Sequence, residues 1–403
     1  MIGTVLSRGV VVGLVASAVP ALADFQKAPE PKDVPPLLTT AAGKTVGSVE
    51  DWEKVRRPEI ARIFATEVYG VRPVERPDDL RFETLRSESA CGGKAVRKLV
   101  RGTYSGPHGC GDLVFSAWIP TGRTKAAAFV HLSPRPAETA DDPNGPRPVY
   151  TLPAEYIVSR GYAAIAVCDY DSAQDWNLAP KTATNGVFRA FGPTDCDERQ
   201  HDEWGILSAW AWGASRVMDW IETEPTIDAR RVGVVGLSRN GKAALVAGAT
   251  DTRFAMTVSC CSGMGGAKLN HMVTYESESV RDIIIAHRWF APKFRQWVGK
   301  DAQMPFDMHW FLALVAPRLL YVSSASEDAW AGPRGEFAAC VLATPAWNLY
   351  GKAGLVHHGF PRIEHPLHAG NIGYHLRDGV HDITRSDWSN YLDFADGHGW
   401  NLP

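Results

Sequence analysis

The sequence predicts an α/β protein with a mostly parallel central sheet, antiparallel at its N-terminal side, between helices in a three-layer αβα sandwich. From Phe82 to Pro120 short alternating runs (FETLRSESA, AVRKLVRGTYS, DLVFSAWIP) read as antiparallel strands. After Ala126 the chain changes to buried apolar runs separated by helical spacing, the βαβ rhythm of a parallel sheet. Between Arg231 and Ala247, the apolar run Val232–Val235 stops at Gly236-Leu237-Ser238-Arg239-Asn240-Gly241 and passes directly into a helix start, Lys242–Ala247. A buried strand that ends on a serine and turns at once into a helix is a nucleophile elbow, which narrows the class to the α/β-hydrolase fold. The usual elbow has glycine two places after the serine; here Asn240 stands there and the glycine comes one later.

In chain order, Arg8, the apolar run Gly9–Val19 and the small-x-small site Ala21-Leu22-Ala23 mark residues 1–23 as an export signal, too short to span a bilayer comfortably. Residues 24–403 then form a single catalytic domain, secreted or periplasmic. Asp24–Glu50, rich in proline and polar residues, is expected to wrap the surface as an extended arm, and Asp51–Gly70 has helical spacing at Ile60, Ile63, Phe64 and Val68. Ala126–Leu132 is a buried strand, followed by a proline- and aspartate-rich loop over Ser133–Arg147. Tyr156–Arg160 is helical, Ala163–Val167 a strand, and Glu203–Glu224 a long amphipathic helix. Strands follow the elbow at Ala255–Ser259, Leu319–Ser324 and Asn371–Leu376.

Composition is ordinarily globular: 45% hydrophobic and 22% charged, with a net charge of −3 that favours neither nucleic acid nor an anionic membrane as partner. A monomer is expected. Fourteen tryptophans are many, most of them expected in the core, though an exposed indole stacks well on a sugar ring. Seven cysteines leave at least one unpaired; Cys91 and Cys110 flank paired strands and are candidates for a bridge, with the pairing left open.

A serine hydroxyl needs a base to take its proton, and that base needs an orienting acid. On this fold the order is serine, acid, histidine. His381, in the turn after the last strand, is the expected base. His375 lies in the strand, and His357, His358, His365 and His368 in the preceding loop are rivals whose irregular spacing does not suit a metal. The acid should follow Leu319–Ser324, where Glu327 and Asp328 stand together. Asp328 is favoured because its shorter side chain holds an imidazole more rigidly, and either acid also suits a helix cap before Pro333-Arg334-Gly335-Glu336-Phe337.

With Ser238, Asp328 and His381 aligned, the chain from about Trp52 to Phe394 resembles the glucuronoyl esterases, carbohydrate esterase family fifteen, and most their bacterial members. The resemblance rests on Arg56-Arg57-Pro58-Glu59-Ile60, Trp204, Trp210-Ala211-Trp212-Gly213 and the elbow Gly236-Leu237-Ser238-Arg239-Asn240-Gly241-Lys242. Ser262-Gly263-Met264-Gly265-Gly266, Ala316-Pro317-Arg318 and Asp387-Trp388 complete it. It implies a 4-O-methyl-glucuronoyl methylesterase without cofactor, hydrolysing lignin–carbohydrate esters of glucuronoxylan. By matching position it makes Ser238 the nucleophile and Arg239 an oxyanion stabiliser, with Lys242, Glu276 and Trp330 binding the uronic acid hydroxyls. Many members carry a catalytic glutamate where this chain has Cys261. A thiol cannot orient an imidazole as a carboxylate does, so the alternative acid position, Asp328, must serve. Leu237 replaces a disulfide-linked cysteine of many members, which implies a bridge-free elbow.

Because the substrate is an ester, its carboxyl is uncharged, and recognition should rest on sugar hydroxyls and ring stacking. Asp175–Phe191 and Arg288–Phe306, rich in Trp and Phe, are expected to wall the alcohol side. An acetyl xylan esterase on the same fold and an inactive glycan-binding homologue are the competing readings.

Overall fold

The computed structural model describes residues 25–145, 147–175, 186–195, 198–274, 276–285 and 288–401. The proposed signal segment and much of the Asp175–Phe191 wall therefore lie outside the described residues.

Nine strands form one sheet: β1 (Arg81–Ala90), β2 (Ala95–Gly106), β3 (Gly109–Pro120), β4 (Ala126–Ser133), β5 (Ala163–Cys168), β6 (Ile227–Leu237), β7 (Met256–Cys260), β8 (Leu319–Ala325) and β9 (Ile372–Arg377). Their order is β9-β8-β7-β6-β4-β5-β3-β2-β1. All neighbours from β9 to β5 are parallel, while β5/β3, β3/β2 and β2/β1 are antiparallel. The sequence pattern follows from this placement. The parallel strands β4, β5, β7, β8 and β9 are buried at every residue, so they read as unbroken apolar runs. β1, at the sheet edge, is almost wholly exposed and carries Arg81, Glu83, Arg86 and Glu88, charges that protect an open edge from pairing with another chain.

Helix α1 (Arg57–Phe64) is flanked by wider π turns at Trp52–Arg56 and Ala65–Tyr69. Helix α2 (Ile206–Ile221) differs from the amphipathic expectation: all its residues are buried, polar Ser208, Ser215, Arg216 and Asp219 included. Arg216 Nε donates to Asp219 at 2.6 Å, and the other Asp219 oxygen takes Arg253 at 2.7 Å. The indole N–H groups of Trp204, Trp210 and Trp212 donate to the carbonyls of Gly192, Ala173 and Val74. Burying one indole removes ~200 Å² from water, about 5 kcal/mol of gross hydrophobic gain, and the N–H bond avoids the penalty of an orphaned donor. Of the described tryptophans only Trp330 is exposed.

The N-terminal arm lies extended along the domain. Phe25–Gln26 pairs with Phe360–Pro361, and the Pro35 carbonyl accepts from His309 Nε2 and Trp310 Nε1. The Leu37 carbonyl accepts from Arg56 Nε, whose guanidinium stacks on Trp310 at 3.9 Å. The Arg56 motif is thus architectural. Asp387 is too: buried in the capping box of helix α5 (Arg385–Gly397), it pairs with His375 at 2.8 Å and Arg377 at 2.9 Å.

Cys91 and Cys110 do not form a bridge. Both are free, because Cys91 sits in the turn before β2 and Cys110 at the start of β3, beside the far end of β2, a strand long enough to hold them roughly 35 Å apart. The other described cysteines are free as well.

Candidate active site

The parallel strands β6, β7, β8 and β9 lie side by side and all end on one edge of the sheet, where open α/β sheets place their sites. Ser238 follows β6, Cys261 follows β7, Asp328 lies just beyond β8 and His381 just beyond β9. Their meeting is a consequence of topology, since these positions are scattered through the last half of the chain.

Ser238 is the first residue past β6 and the N-cap of helix α3 (Arg239–Thr250), with φ +61° and ψ −127°. Its N–H donates to the Cys260 carbonyl and its carbonyl accepts from the Lys242 N–H, so strand and helix grip it from both sides. The turn is tight enough to need two glycines. A Cβ on Gly236 would lie 2.1 Å from the Asn240 carbonyl oxygen, and one on Gly241 would lie 2.9 Å from the Gly236 carbonyl and 3.0 Å from that of Cys260. That is why the second glycine stands at 241. Asn240 is buried and donates its Nδ2 to Asp169 Oδ2 at 2.7 Å.

His381 Nδ1 meets Asp328 Oδ2 at 2.6 Å. The carboxylate is buried, and the imidazole side chain keeps 40% of its surface exposed. The other Asp328 oxygen accepts from the Ala331 N–H at 3.3 Å, so Asp328 fills both roles the sequence allowed, imidazole partner and cap. Glu327 is exposed, and its backbone N–H joins the Gly379 carbonyl. Among the rival histidines, His368 Nε2 and His375 Nδ1 both bond the hydroxyl of buried Tyr321. Burial holds His368 down at about 4.

Arg239 opens α3. Its guanidinium lies 3.8 Å from buried Asp175 and over the Trp289 ring at 5.9 Å. The Trp289 indole N–H points at the same Asp175 carboxylate, at 3.5 Å. Burial pushes the Asp169 carboxyl up to about 6, against the lowering pull of the Asn240 amide and the Arg239 charge. These two acids behind the elbow escaped sequence reading. Asp169 follows a buried strand at the same sheet edge, a signal available in hindsight; Asp175 has none.

Of the residues expected to bind the sugar, Lys242 lies beside a different acid from the one expected. The Lys242 side chain is only 2% exposed; its ammonium donates to the Ser262 carbonyl and pairs at 3.2 Å with Glu278, not Glu276. Glu278 Oε2 also accepts from Met264 N–H, and its backbone N–H donates to the Trp330 carbonyl. Glu276 lies at the exposed surface. A single residue, Ser277, separates these acids, and the loop has no periodicity to say which one turns inward. Trp330 is 49% exposed, its ring free to stack. Phe290, Phe294 and Phe306, expected in a wall, are core residues packed around Phe64 and Tyr69.

Glu336, fully buried in the first turn of helix α4 (Pro333–Leu349), accepts from the N–H groups of Ser262 and Gly263 and from the Ser324 hydroxyl. Burial pushes its carboxyl up to about 7 despite these donors. It ties the Ser262-Gly263 stretch to β8 and so fixes the loop that follows Cys261.

The described residues hold no helix long and apolar enough to cross a membrane. Comparison with known proteins places the chain among relatives. The family model for fungal glucuronyl esterases matches residues 156–351. The curated relative "Carbohydrate esterase MZ0003", from an unknown prokaryotic organism, is 32% identical over 93% of this chain and 92% of its own. A solved glucuronoyl esterase from Solibacter usitatus superposes with a TM-score of 0.81 at 32% identity, covering 94% of this chain and 100% of that one. A promiscuous esterase of carbohydrate esterase family 15 from a marine bacterial metagenome gives 0.79 at 31% identity, over 94% and 99% of the two chains.

Proposed function

Since the chain belongs to the glucuronoyl esterases of carbohydrate esterase family 15, whose reaction is the hydrolysis of glucuronic acid esters, we propose that Ser238, His381 and Asp328 perform that hydrolysis through an acyl-enzyme. The observation that carries the assignment is the 2.6 Å bond between His381 Nδ1 and the buried Asp328 carboxylate, at the sheet edge where Ser238 stands. Asp328 accepts the Nδ1 proton, so Nε2 presents its lone pair to the Ser238 hydroxyl. As Ser238 Oγ attacks the ester carbon, His381 takes its proton and negative charge grows on the carbonyl oxygen. Arg239 supplies its backbone N–H and its guanidinium there, and such a donor typically contributes ~3 kcal/mol to the transition state. His381 then returns the proton to the departing alcohol. Water enters, loses a proton to the same imidazole and releases the uronate from Ser238.

Lys242 and Glu278 form the polar floor for the sugar hydroxyls: a buried ammonium retains a third donor beyond the two it uses here, and a carboxylate retains spare lone pairs. Trp330 offers a face for the ring. We place the mature enzyme outside the cytoplasm, acting on lignin–glucuronoxylan esters. The test compares hydrolysis of benzyl and methyl glucuronate esters with release of acetate from acetylated xylan. Turnover of the uronates that vanishes in Ser238→Ala supports the reading; preference for acetylated xylan, or uronate turnover that survives Ser238→Ala, overturns it.

A further inference from the structure

Cys261 has no part in the mechanism above, yet it stands beside the residues that do. Its Sγ, a carboxylate oxygen of Asp328 and a ring nitrogen of His381 all lie within 4.8 Å of one another. We propose that these three side chains form an inhibitory site for a thiophilic divalent cation of the zinc and cadmium class. This rests on the reading of Asp328 and His381 as the working pair.

The donor chemistry selects the ion. Thiolate, imidazole and carboxylate together suit borderline-soft Zn²⁺ and soft Cd²⁺, whereas Mg²⁺ and Ca²⁺ prefer oxygen ligands. Zinc–ligand bonds of about 2.0–2.3 Å in a tetrahedron put donor atoms roughly 3.5 Å apart. Donors within 4.8 Å therefore need to close by about 1.3 Å at most, within reach of a rotation of the Asp328 carboxylate and the imidazole.

Charge and access agree. Cys261 and Asp328 are buried and form the floor, while the His381 side chain keeps 40% of its surface exposed, a path by which an ion can enter. On binding, the Cys261 S–H bond breaks, its proton leaves to solvent and a sulfur–metal bond forms. One thiolate and one carboxylate then balance the two charges of the cation, so no net charge is buried. No electron is transferred. With His381 as a ligand, a metal on Nε2 occupies the lone pair that Ser238 needs, and a metal on Nδ1 displaces the Asp328 bond and leaves the ring proton on Nε2, so the loaded enzyme has no base for Ser238. A glutamate at 261 would give an all-oxygen and nitrogen site of lower preference for soft ions.

Cys260 is the alternative thiol. Its sulfur lies 3.9 Å from that of Cys261 and 3.6 Å from the Asp382 carbonyl.

The experiment titrates the full chain with ZnCl₂, CdCl₂ and MgCl₂, following benzyl glucuronate hydrolysis and, separately, the ultraviolet charge-transfer band of a cadmium–thiolate bond. In the wild type, Zn²⁺ and Cd²⁺ should lower turnover at least tenfold, reversibly with EDTA, and one equivalent of Cd²⁺ should raise the band. Mg²⁺ should do neither. Cys261→Ala should keep its metal-free turnover, lose the band and need at least tenfold more metal for the same inhibition. Cys261→Ser, which keeps an oxygen in place, should lose cadmium sensitivity more than zinc sensitivity. Equal inhibition of wild type and Cys261→Ala, a band that persists in Cys261→Ala but vanishes in Cys260→Ala, or equal potency of Mg²⁺ would overturn the proposal. If no uronate ester is turned over, the functional reading fails, while the cadmium band and its dependence on Cys261 still decide the site.

Discussion

Asp328→Asn isolates the orienting role, because asparagine keeps the shape of the side chain and one of its two acceptor oxygens. In the native site one carboxylate oxygen takes the Ala331 N–H at 3.3 Å and the other takes His381 Nδ1–H at 2.6 Å. The amide can satisfy only one of these. If its oxygen stays on Ala331, its NH₂ faces Nδ1, which must then become an acceptor. The ring proton moves to Nε2, and His381 can no longer receive the Ser238 proton. If the amide flips, the Ala331 N–H loses its cap at a cost of ~1 kcal/mol, about a fivefold bias against the productive arrangement. Even that arrangement lacks the negative charge that stabilises the imidazolium. Loss of an analogous carboxylate in a serine protease triad lowers kcat by about 10⁴-fold, equivalent to about 5.5 kcal/mol, and a fall of 10³- to 10⁴-fold is expected here. The assay is kcat and KM on benzyl glucuronate, with thermal unfolding to show that the fold is retained. The loss should lie in kcat. Adding Cys261→Glu to Asp328→Asn should recover at least tenfold by offering a carboxylate from the neighbouring strand end. A folded Asp328→Asn enzyme within tenfold of wild type would refute the assignment.

Arg239→Ala should cost about a hundredfold in kcat with little change in KM, since the charge it meets exists only in the transition state. Asp175→Asn, which loosens the guanidinium without removing it, should fall between that variant and wild type. Steady-state kinetics on Glu278→Gln should show KM for the uronate ester rising more than kcat falls, with Glu276→Gln within twofold of wild type on both; the reverse pattern would restore the original choice of acid. Glu336 predicts a pH dependence of stability. Its carboxyl sits at about 7 in the folded protein against an ordinary 4.5, so the native state retains a proton that the unfolded chain releases. Stability should therefore fall as pH rises from 4.5 to 7, by about 3 kcal/mol from this group, and Glu336→Gln should flatten that slope in urea unfolding at pH 5 and 7.5.

Much of this molecule could be read from the chain because its parallel strands are buried on both faces and its antiparallel strands mostly are not. Runs such as Ala126–Leu132 and Leu319–Ser324 declare themselves without tertiary information. The elbow was legible for a local reason: strand, Ser238 and helix are consecutive. The placement of Asp328 beside His381 followed from strand order, which the fold class already implied. Helix α2 was misread as amphipathic because Ser208, Arg216 and Asp219 look like a wet face until another layer covers them. That Glu278 rather than Glu276 pairs with Lys242 cannot be read from the chain, because an irregular loop carries no period. Asp175 was missed because its partner, Arg239, lies 64 positions away by their residue numbers, and only the folded chain joins them.

The left-handed backbone at Ser238 has one more consequence. At φ +61° and ψ −127° a side chain is an encumbrance, and holding one there costs on the order of 1–3 kcal/mol that the surrounding strand and helix must absorb. Glycine would rest at that angle unburdened. Stability and chemistry therefore pull in opposite directions at this residue: the sturdiest form of the domain is one that has forfeited its hydroxyl, and selection for heat tolerance alone would tend to silence the enzyme at its own hinge.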